Sequence, residues 1–406
     1  MTDSSLSVLL FNALLYTMTL FFVYKKKGLS IGLIIFGLFS FSSWMSFLLW
    51  QQPDFSGTLH DNPQNPLALL YLYCLLLLTI WPMFSLSKME KKTLVIKHEN
   101  IVFPTIIIIV IFEIFTFLVD LPKIDGILAS SDLADLRENV YDGGNSNVAK
   151  IPMLNRFSLF FSGLKLITIP FSMVLYFCYH KRRKLIVLFL IGSILSIFNE
   201  VIIMVSRGIM VGYLIYLGIL LFYIRDYLSA KFKKILIAYA IPTFVVILTF
   251  FWAISVSRFG DLAFYMLYKY SGEAMINFGG ILYNDIYEPT YGRGYLLTPI
   301  FRDYITCEEK WEFVENITKI NVSIFYTYIG ELVVEFGRLG AILASLVLFF
   351  IQKNVYTKPF QLATLFVIFF FVYAFSYGLF VFSIQGFQGF FFVCFTIFFY
   401  KFFKFR

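Results

Sequence analysis

Apolar residues in this chain form long uninterrupted runs that are separated by short polar segments. The runs are helix-length, as in Ile101 to Leu121 and Leu185 to Val205, whereas membrane-barrel strands are alternating stretches of about ten residues. About 20 apolar residues cross the hydrocarbon core of a bilayer as a helix. This criterion predicts about eleven transmembrane helices, at residues 6–24, 29–50, 66–87, 101–121, 157–179, 185–205, 209–224, 232–257, 322–351, 361–382 and 384–400.

The composition supports the same class of protein. Hydrophobic residues make up 59% of the chain, charged residues make up 14%, and the mean hydropathy is +0.80. Soluble domains carry roughly 25% charged residues. We therefore expect an all-α polytopic membrane protein, and we expect residues 1–406 to form a single transmembrane domain, because no internal repeat or low-complexity linker divides them.

The distribution of basic residues predicts an orientation. The net charge is +8, and short basic clusters fall in every second predicted loop. Lysine and arginine accumulate in cytoplasmic loops of membrane proteins, so the amino terminus is predicted outside and the carboxyl terminus in the cytoplasm. Such scattered clusters argue against a nucleic-acid partner. The clusters are Lys25 to Lys27, Lys88 to Lys97, Lys181 to Lys184, Arg225 to Lys234, Lys353 with Lys358, and Lys401, Lys404 and Arg406.

Two predicted external loops are long, at residues 122–156 and 258–321. Loops of this length are usually functional or disordered. The second contains apolar and aromatic segments, so we expect it to fold back onto the membrane surface and to form part of an active site. The chain has three His and four Cys residues without metal-ligand spacing, so no metal site and no cofactor are predicted.

Ionisable residues within predicted spans are the first candidates for function, because they are costly in a bilayer and usually face a bundle interior or a wet cavity. Glu331, Glu335 and Arg338 fall at i, i+4 and i+7 of one predicted helix and would share a face. They could equally form a structural ion-pair group. The full set is Glu113, Lys165, Glu200, Arg207, Glu331, Glu335 and Arg338, in which Glu200 could instead pair with Lys165.

Arginines are predicted to gather at the outer membrane face. Arginine recognises phosphate oxygens in a bidentate manner, so this set indicates an anionic ligand such as a lipid-linked pyrophosphate. Its tail would occupy a groove between helices, and Tyr291 and Tyr295 could stack on sugar rings. Each arginine could instead pair with a loop carboxylate or extend to lipid headgroups. The set comprises Arg207, Arg258, Arg293, Arg302 and Arg338.

Three segments carry a resemblance to a known family. They are Ser206-Arg207-Gly208, the run YGRGYLLTPIFR from Tyr291 to Arg302, and the run YIGELVVEFGRLG from Tyr328 to Gly340. Together with the span number and the two long loops, they resemble the O-antigen or Wzy-type polymerases of bacterial surface polysaccharide assembly. The large loop contains no His, which favours a polymerase over the related O-antigen ligases.

The resemblance implies a metal-independent glycosyltransferase on the external, periplasmic face of a bacterial inner membrane. It would transfer a growing glycan from undecaprenyl pyrophosphate to a new lipid-linked repeat, for O-antigen, capsule or exopolysaccharide. Glu331 is expected to be the general base, with Glu335 second and Arg207 also catalytic. The arginine set would hold the pyrophosphate, and a chain-length regulator and a flippase are expected partners. A ligase-type transferase and a lipid-linked oligosaccharide flippase or transporter are the alternatives.

Overall fold

A computed structural model describes residues 2–53, 62–87, 99–129, 168–179, 181–203, 207–234, 259–293, 307–320, 326–357 and 362–379, with a few single positions elsewhere. Every regular element in these ranges is helical. The helices are α1 (Thr2–Lys27), α2 (Ile31–Trp50), α3 (Pro66–Ile80), α4 (Glu99–Ala129), α5 (Thr168–Cys178), α6 (Arg183–Ile203), α7 (Arg207–Tyr223), α8 (Ala263–Asn277), α9 (Cys307–Thr318), α10 (Thr327–Tyr356) and α11 (Leu362–Tyr377).

Five helical segments of the described chain are long and apolar enough to cross a membrane. Three shorter apolar helices, Thr168–Cys178, Met210–Tyr223 and Thr364–Tyr377, accompany them. The prediction of an all-helical membrane protein is confirmed at this level. Most of the predicted span 232–257 and of the predicted span 384–400 lies outside the described residues. The five segments are Ser4–Lys27, Ile31–Trp50, Pro66–Ser85, Glu99–Leu121 and Thr327–Tyr356.

The chain divides into two compact units. Unit 1 comprises Met1–Lys88, Trp252–Pro359 and Phe371–Gly386, and unit 2 comprises Met89–Phe251, Phe360–Phe370 and Phe387–Arg406. Unit 1 therefore contains α1 to α3 and α8 to α10, whereas unit 2 contains α4 to α7.

Small polar residues on α2 allow the helices of unit 1 to approach closely. The Asn12 side chain of α1 donates a hydrogen bond to the Ser43 hydroxyl at 2.8 Å. On another side, the Ser42 hydroxyl donates to the Ser271 carbonyl of α8 at 2.6 Å. Helix association in membranes depends on such small residues and interhelical hydrogen bonds, because lipid tails are as apolar as leucine side chains.

The first part of the predicted loop 258–321 is a helix whose carboxyl-terminal part is buried. α8 continues through a π-helical segment, Phe278–Leu282, to a last turn at Tyr283–Asp285. It packs against α2 and also contacts the start of α3, where the Asn65 amide donates to the Gly279 carbonyl at 3.1 Å. The sequence predicted that this segment lies on the membrane surface, which stays a prediction. The segment packs against α2 within unit 1, and its charged residues interrupt the apolar run that the span criterion requires.

Unit 2 is built on the packing of α4 against α6. At the amino-terminal end of α4, the Tyr179 hydroxyl donates to the Glu99 carboxylate at 2.5 Å, and Lys181 pairs with the same carboxylate at 3.7 Å. Aromatic rings fill the remaining space, with Phe171 of α5 edge-on to Phe189 of α6. α4 runs on to Ala129, so the predicted external loop 122–156 begins as helix.

We predict that Gly272→Ala destabilises the protein, whereas Gly37→Ala does not. A Cβ atom at Gly272 would lie 2.5 Å from the Ser46 amide nitrogen of α2, whereas a Cβ atom at Gly37 would meet nothing within 4 Å. The overpacked contact should lower the free energy of unfolding by about 1–3 kcal/mol. Thermal unfolding of the purified protein in detergent checks this. Equal midpoints for the two variants would show that α2 and α8 are not in this close contact.

Candidate functional site

The helix α10 is broken at Gly337. This residue has φ 71° and ψ 178°, a backbone conformation that is essentially restricted to glycine. The stretch from Thr327 to Glu335 before the break is buried throughout, whereas Phe336, Arg338 and Leu339 around the break are exposed. The break therefore places a helix end at the boundary between the core of unit 1 and its surface.

The carbonyl groups freed by the break are capped by distant parts of unit 1. The Thr290 amide donates to the Val334 carbonyl at 2.9 Å, and the Gly292 amide donates to the Glu335 carbonyl at 3.3 Å. On the other side of the break, the Tyr71 hydroxyl of α3 donates to the Arg338 carbonyl at 2.5 Å. Helix ends leave backbone carbonyls without intrahelical partners, so this capping is what permits a break in an otherwise apolar span.

The capping segment is a tight turn from Pro289 to Arg293. Tyr291 and Gly292 have positive φ values of 53° and 86°, and the Arg293 amide donates to the Thr290 carbonyl at 3.2 Å. Thr290 and Gly292 are buried against α10, whereas Tyr291 and Arg293 are exposed. The turn thus holds two of the residues predicted for the site at the surface.

The two predicted carboxylates lie on the buried side of the break. Glu331 is 8% exposed and Glu335 is 0% exposed, and they are four residues apart on one uninterrupted stretch of helix. The Thr290 hydroxyl donates to the Glu335 carboxylate at 2.8 Å. The prediction that Arg338 shares a helix face with these carboxylates assumed a continuous helix through Gly337. The break at Gly337 ends that face before Arg338.

Both described site arginines lie over aromatic rings. The Arg338 guanidinium is 4.5 Å from the centre of the Tyr283 ring, and that of Arg293 is 5.6 Å from the centre of the Phe313 ring. Tyr71 packs on Tyr283 with ring centres 5.3 Å apart. Cation–π contacts fix the direction of an arginine, and the guanidinium N–H groups are donors suited to anions.

Three acidic residues lie near Tyr326, at the start of α10. Burial raises the pKa of the Tyr326 hydroxyl above its usual range, and the carboxylates of Glu273, Glu315 and Asp285 raise it further. Burial also raises the pKa of Glu273, although Lys269 and a hydrogen bond with Asn277 oppose this effect. The site therefore combines exposed arginines with partly buried carboxylates.

Several residues predicted for the site cannot be placed by this geometry. Arg258, Tyr295 and Arg302 lie outside the described residues. Arg207 is the first residue of α7 in unit 2, but its side chain is not described. The Glu200 side chain and Lys165 also lie outside the described part of the chain.

Sequence reasoning missed Tyr71, Tyr283 and Thr290 as members of this site. Neither tyrosine belongs to a charged motif, and Thr290 precedes the Tyr-Gly-Arg-Gly-Tyr segment by one residue. The available signal was Gly337 itself. A glycine within a helical pattern is a point at which the helix can end, and here it follows two carboxylates and precedes an arginine.

An apolar groove runs between α1 and α3. Its volume is about 320 Å³, and it is lined mainly by Phe11, Leu15, Leu67 and Leu70, with the amide of Asn12 at its wall. The Phe11, Leu67 and Leu70 side chains are exposed, so the groove is open on one side. Tyr71, which binds the Arg338 carbonyl, is the next residue on α3 after Leu70.

No family model, curated protein or solved structure matches this chain. Within the described residues, no group of three or more His, Cys, Asp or Glu side chains could hold a metal ion.

We predict that Thr290→Val destabilises the protein, whereas Thr290→Ser is close to wild type. Valine has the shape of threonine but removes the hydroxyl that donates to the buried Glu335 carboxylate. Loss of a hydrogen bond to a buried charged group lowers stability by about 1–3 kcal/mol. Thermal unfolding in detergent measures the difference. A valine variant as stable as the serine variant would mean that Thr290 does not hold the turn onto α10.

We predict that Glu273→Gln removes part of the pH dependence of stability. The folded-state pKa of Glu273 is raised, so its protonated form favours folding. That contribution is present below the pKa of the unfolded chain and is lost as the pH rises through the raised value. The melting temperature of Glu273→Gln should therefore exceed that of wild type increasingly as the pH rises.

The exposed Glu288 provides the control for this experiment. Glu288→Gln should follow the wild-type melting temperature at every pH. The explanation fails if Glu273→Gln and Glu288→Gln have the same pH profile.

Proposed function

We propose that the chain is a polymerase of lipid-linked oligosaccharide repeat units, which transfers a growing glycan from undecaprenyl pyrophosphate to a new lipid-linked repeat. The observation that carries the proposal is the exposed rim beside the broken helix. There Arg293 and Arg338 lie over aromatic rings, and Tyr287 and Tyr291 are 79% and 62% exposed. Exposed tyrosine rings can stack on sugars, and arginines can bind pyrophosphate.

The groove between α1 and α3 supports a lipid-linked substrate. It is lined by apolar side chains and open on one side, which suits a polyprenyl chain. Tyr71 connects its α3 wall to the Arg338 backbone. A substrate lying in the groove would place its charged head toward the arginine and its tail among the helices. Apolar burial and charge pairing would then both contribute to binding.

The proposed reaction is a displacement at the anomeric carbon of the donor sugar. An acceptor hydroxyl attacks this carbon, a glycosidic bond forms, and the bond to the pyrophosphate oxygen breaks. The pyrophosphate leaves as an anion that the arginines stabilise, so it needs no proton. Glu331 is proposed to take the proton of the acceptor hydroxyl. Glu335, which is fully buried and bonded to Thr290, is proposed to position the turn.

The remaining elements of the proposal come from the sequence. Arg207, Arg258 and Arg302 are proposed to contribute to pyrophosphate binding, and Tyr295 to glycan binding. The proposed topology has eleven spans, with the amino terminus outside and the carboxyl terminus in the cytoplasm of a bacterium. The site would then lie on the external face of the inner membrane, where a flippase and a chain-length regulator would be partners.

A second candidate is a transporter of the same lipid-linked substrate. The specific observation that favours it is the break at Gly337, because secondary transporters bind substrates and coupling ions at the ends of discontinuous helices. The sequence had indicated no broken helix. A ligase-type transferase with the same donor and a different acceptor would use the same site chemistry.

We predict that Arg338→Ala and Glu331→Gln abolish long surface polysaccharide while leaving the protein folded. Removal of one electrostatic contact to the leaving group typically lowers turnover by about 10²–10³-fold. The measurement is the length distribution of surface polysaccharide in a deletion strain of the source bacterium, complemented with each variant at matched expression. A deletion strain with single repeats at its surface would support the polymerase.

Arg225→Ala is the matched control, because the Arg225 guanidinium also lies over an aromatic ring, 4.1 Å from the centre of Phe222, but belongs to a predicted cytoplasmic cluster. This variant should restore full-length chains. Complete polymer held on its lipid carrier would indicate a ligase instead. Single repeats retained on the cytoplasmic side would indicate the transporter, and both outcomes would overturn the polymerase.

A further inference from the structure

Unit 2 contains a buried carboxyl group that the proposed function does not use. Glu113 lies in the middle of α4 and is 6% exposed. Its Oε1 atom accepts a hydrogen bond from the Thr168 hydroxyl of α5 at 3.1 Å. Its Oε2 atom is buried and has no hydrogen-bond partner in the described part of the chain.

The surroundings of Glu113 are polar but uncharged. The Ser193 hydroxyl of α6 lies beside the carboxyl group, and its oxygen atom is buried. The neighbouring Gly192 gives the carboxyl its space, because a Cβ atom there would lie 2.6 Å from Oε2. The groups that α5 and α6 bring to this carboxyl are thus the Thr168 hydroxyl, the Gly192 backbone and the Ser193 hydroxyl.

A second polar contact lies further along the same helix pair. The Asn199 amide of α6 donates to the Asp120 carboxylate of α4 at 2.9 Å. Asp120 follows Glu113 by seven residues, or about 10 Å along the helix. Asp120 is the other titratable group on this side of Glu113 in the described part of the α4–α6 interface. The Glu200 side chain lies outside the described residues.

An ionised carboxylate in this position would be expensive. Burial of a charge without a partner costs several kcal/mol, and a buried group usually becomes neutral instead. Protonation of the carboxyl group has two effects in this geometry. It removes the buried charge, and it supplies a hydrogen that Oε2 can donate to Ser193. The close approach of Gly192 leaves room for a proton but little room for a hydrated ion.

We propose that the α4–α6 interface is a proton-binding site in which Glu113 carries an exchangeable proton between Gly192 and Ser193. The site goes beyond the glycan chemistry proposed for unit 1 and does not depend on it. Its ligand is a proton taken up from and released to water, and the protonated form is the one that fits the uncharged interface. Buried carboxyl groups of this kind in membrane spans commonly take part in proton relays.

The test is labelling with dicyclohexylcarbodiimide, an apolar reagent that reacts with protonated carboxyl groups. The O–H group adds across a C=N bond, the proton goes to nitrogen, and acyl migration leaves a stable N-acylurea with no atom lost. Intact membranes containing the wild-type chain are labelled across a pH series, and the modified residue is mapped by peptide mass spectrometry. We expect labelling of Glu113 at neutral pH and its loss as the pH rises.

Glu99 is an internal control on the same helix, because it is paired with Lys181 and bonded to Tyr179. It should remain unlabelled. Gly192→Ala should reduce labelling of Glu113 by displacing Oε2, whereas Gly218→Ala, whose Cβ atom would meet nothing within 4 Å, should label like wild type. Mapping on the wild-type chain keeps the test valid if a variant does not fold.

Three outcomes would overturn the proposal. Absence of labelling at Glu113 at every pH would mean that the carboxyl is ionised and neutralised by a fixed cation, for which Lys165 is the nearest candidate in the sequence before Thr168. Protection by sodium chloride but not by choline chloride would make the ligand a sodium ion. Wild-type labelling in Gly192→Ala would show that Gly192 does not enclose the carboxyl.

Discussion

Every backbone polar group that lies within a membrane must find its partner inside the protein, and the site in unit 1 depends on this constraint. The break at Gly337 frees carbonyls that an uninterrupted helix would have satisfied. The turn at 289–293 supplies donors to two of these carbonyls, and the Tyr71 hydroxyl bonds the Arg338 carbonyl just after the break. Because the turn must lie against α10 to do so, it also fixes the positions of Tyr291 and Arg293. The functional candidates are thus placed by the same hydrogen bonds that make the break tolerable.

This arrangement also depends on close packing between α2 and α8 within unit 1. Ser42 and Ser46 on α2 and Gly272 on α8 bring the two backbones together, which buries the segment that continues to Tyr283. The Tyr283 ring then lies under the Arg338 guanidinium. The small-residue contacts between α2 and α8 are therefore linked to the exposed arginine through the helical segment that ends with Tyr283. None of those small residues belongs to the site.

The sequence predicted the helices well where apolar runs are long, because hydrophobic length is a direct physical requirement of the bilayer. It failed for α8, whose Lys269 and Glu273 interrupt the apolar pattern although much of the helix is buried. Glu331 and Arg338 were found as candidates because charge is costly in a membrane, whereas Arg293 was found as one of the arginines predicted at the outer membrane face. The sharing of one face by Glu331 and Arg338 was assumed from helical spacing, and a single φ value at Gly337 removes that relation.

The short length of the first half of α10 has a consequence for biogenesis. Residues 327–336 rise about 15 Å as a helix, half of the roughly 30 Å thickness of the hydrocarbon core. This half cannot cross the bilayer alone, so it must enter the membrane together with the apolar residues that follow Gly337. The capping turn precedes α10 in the chain and is synthesised first. The turn that caps the broken helix is therefore already synthesised when that helix emerges from the ribosome.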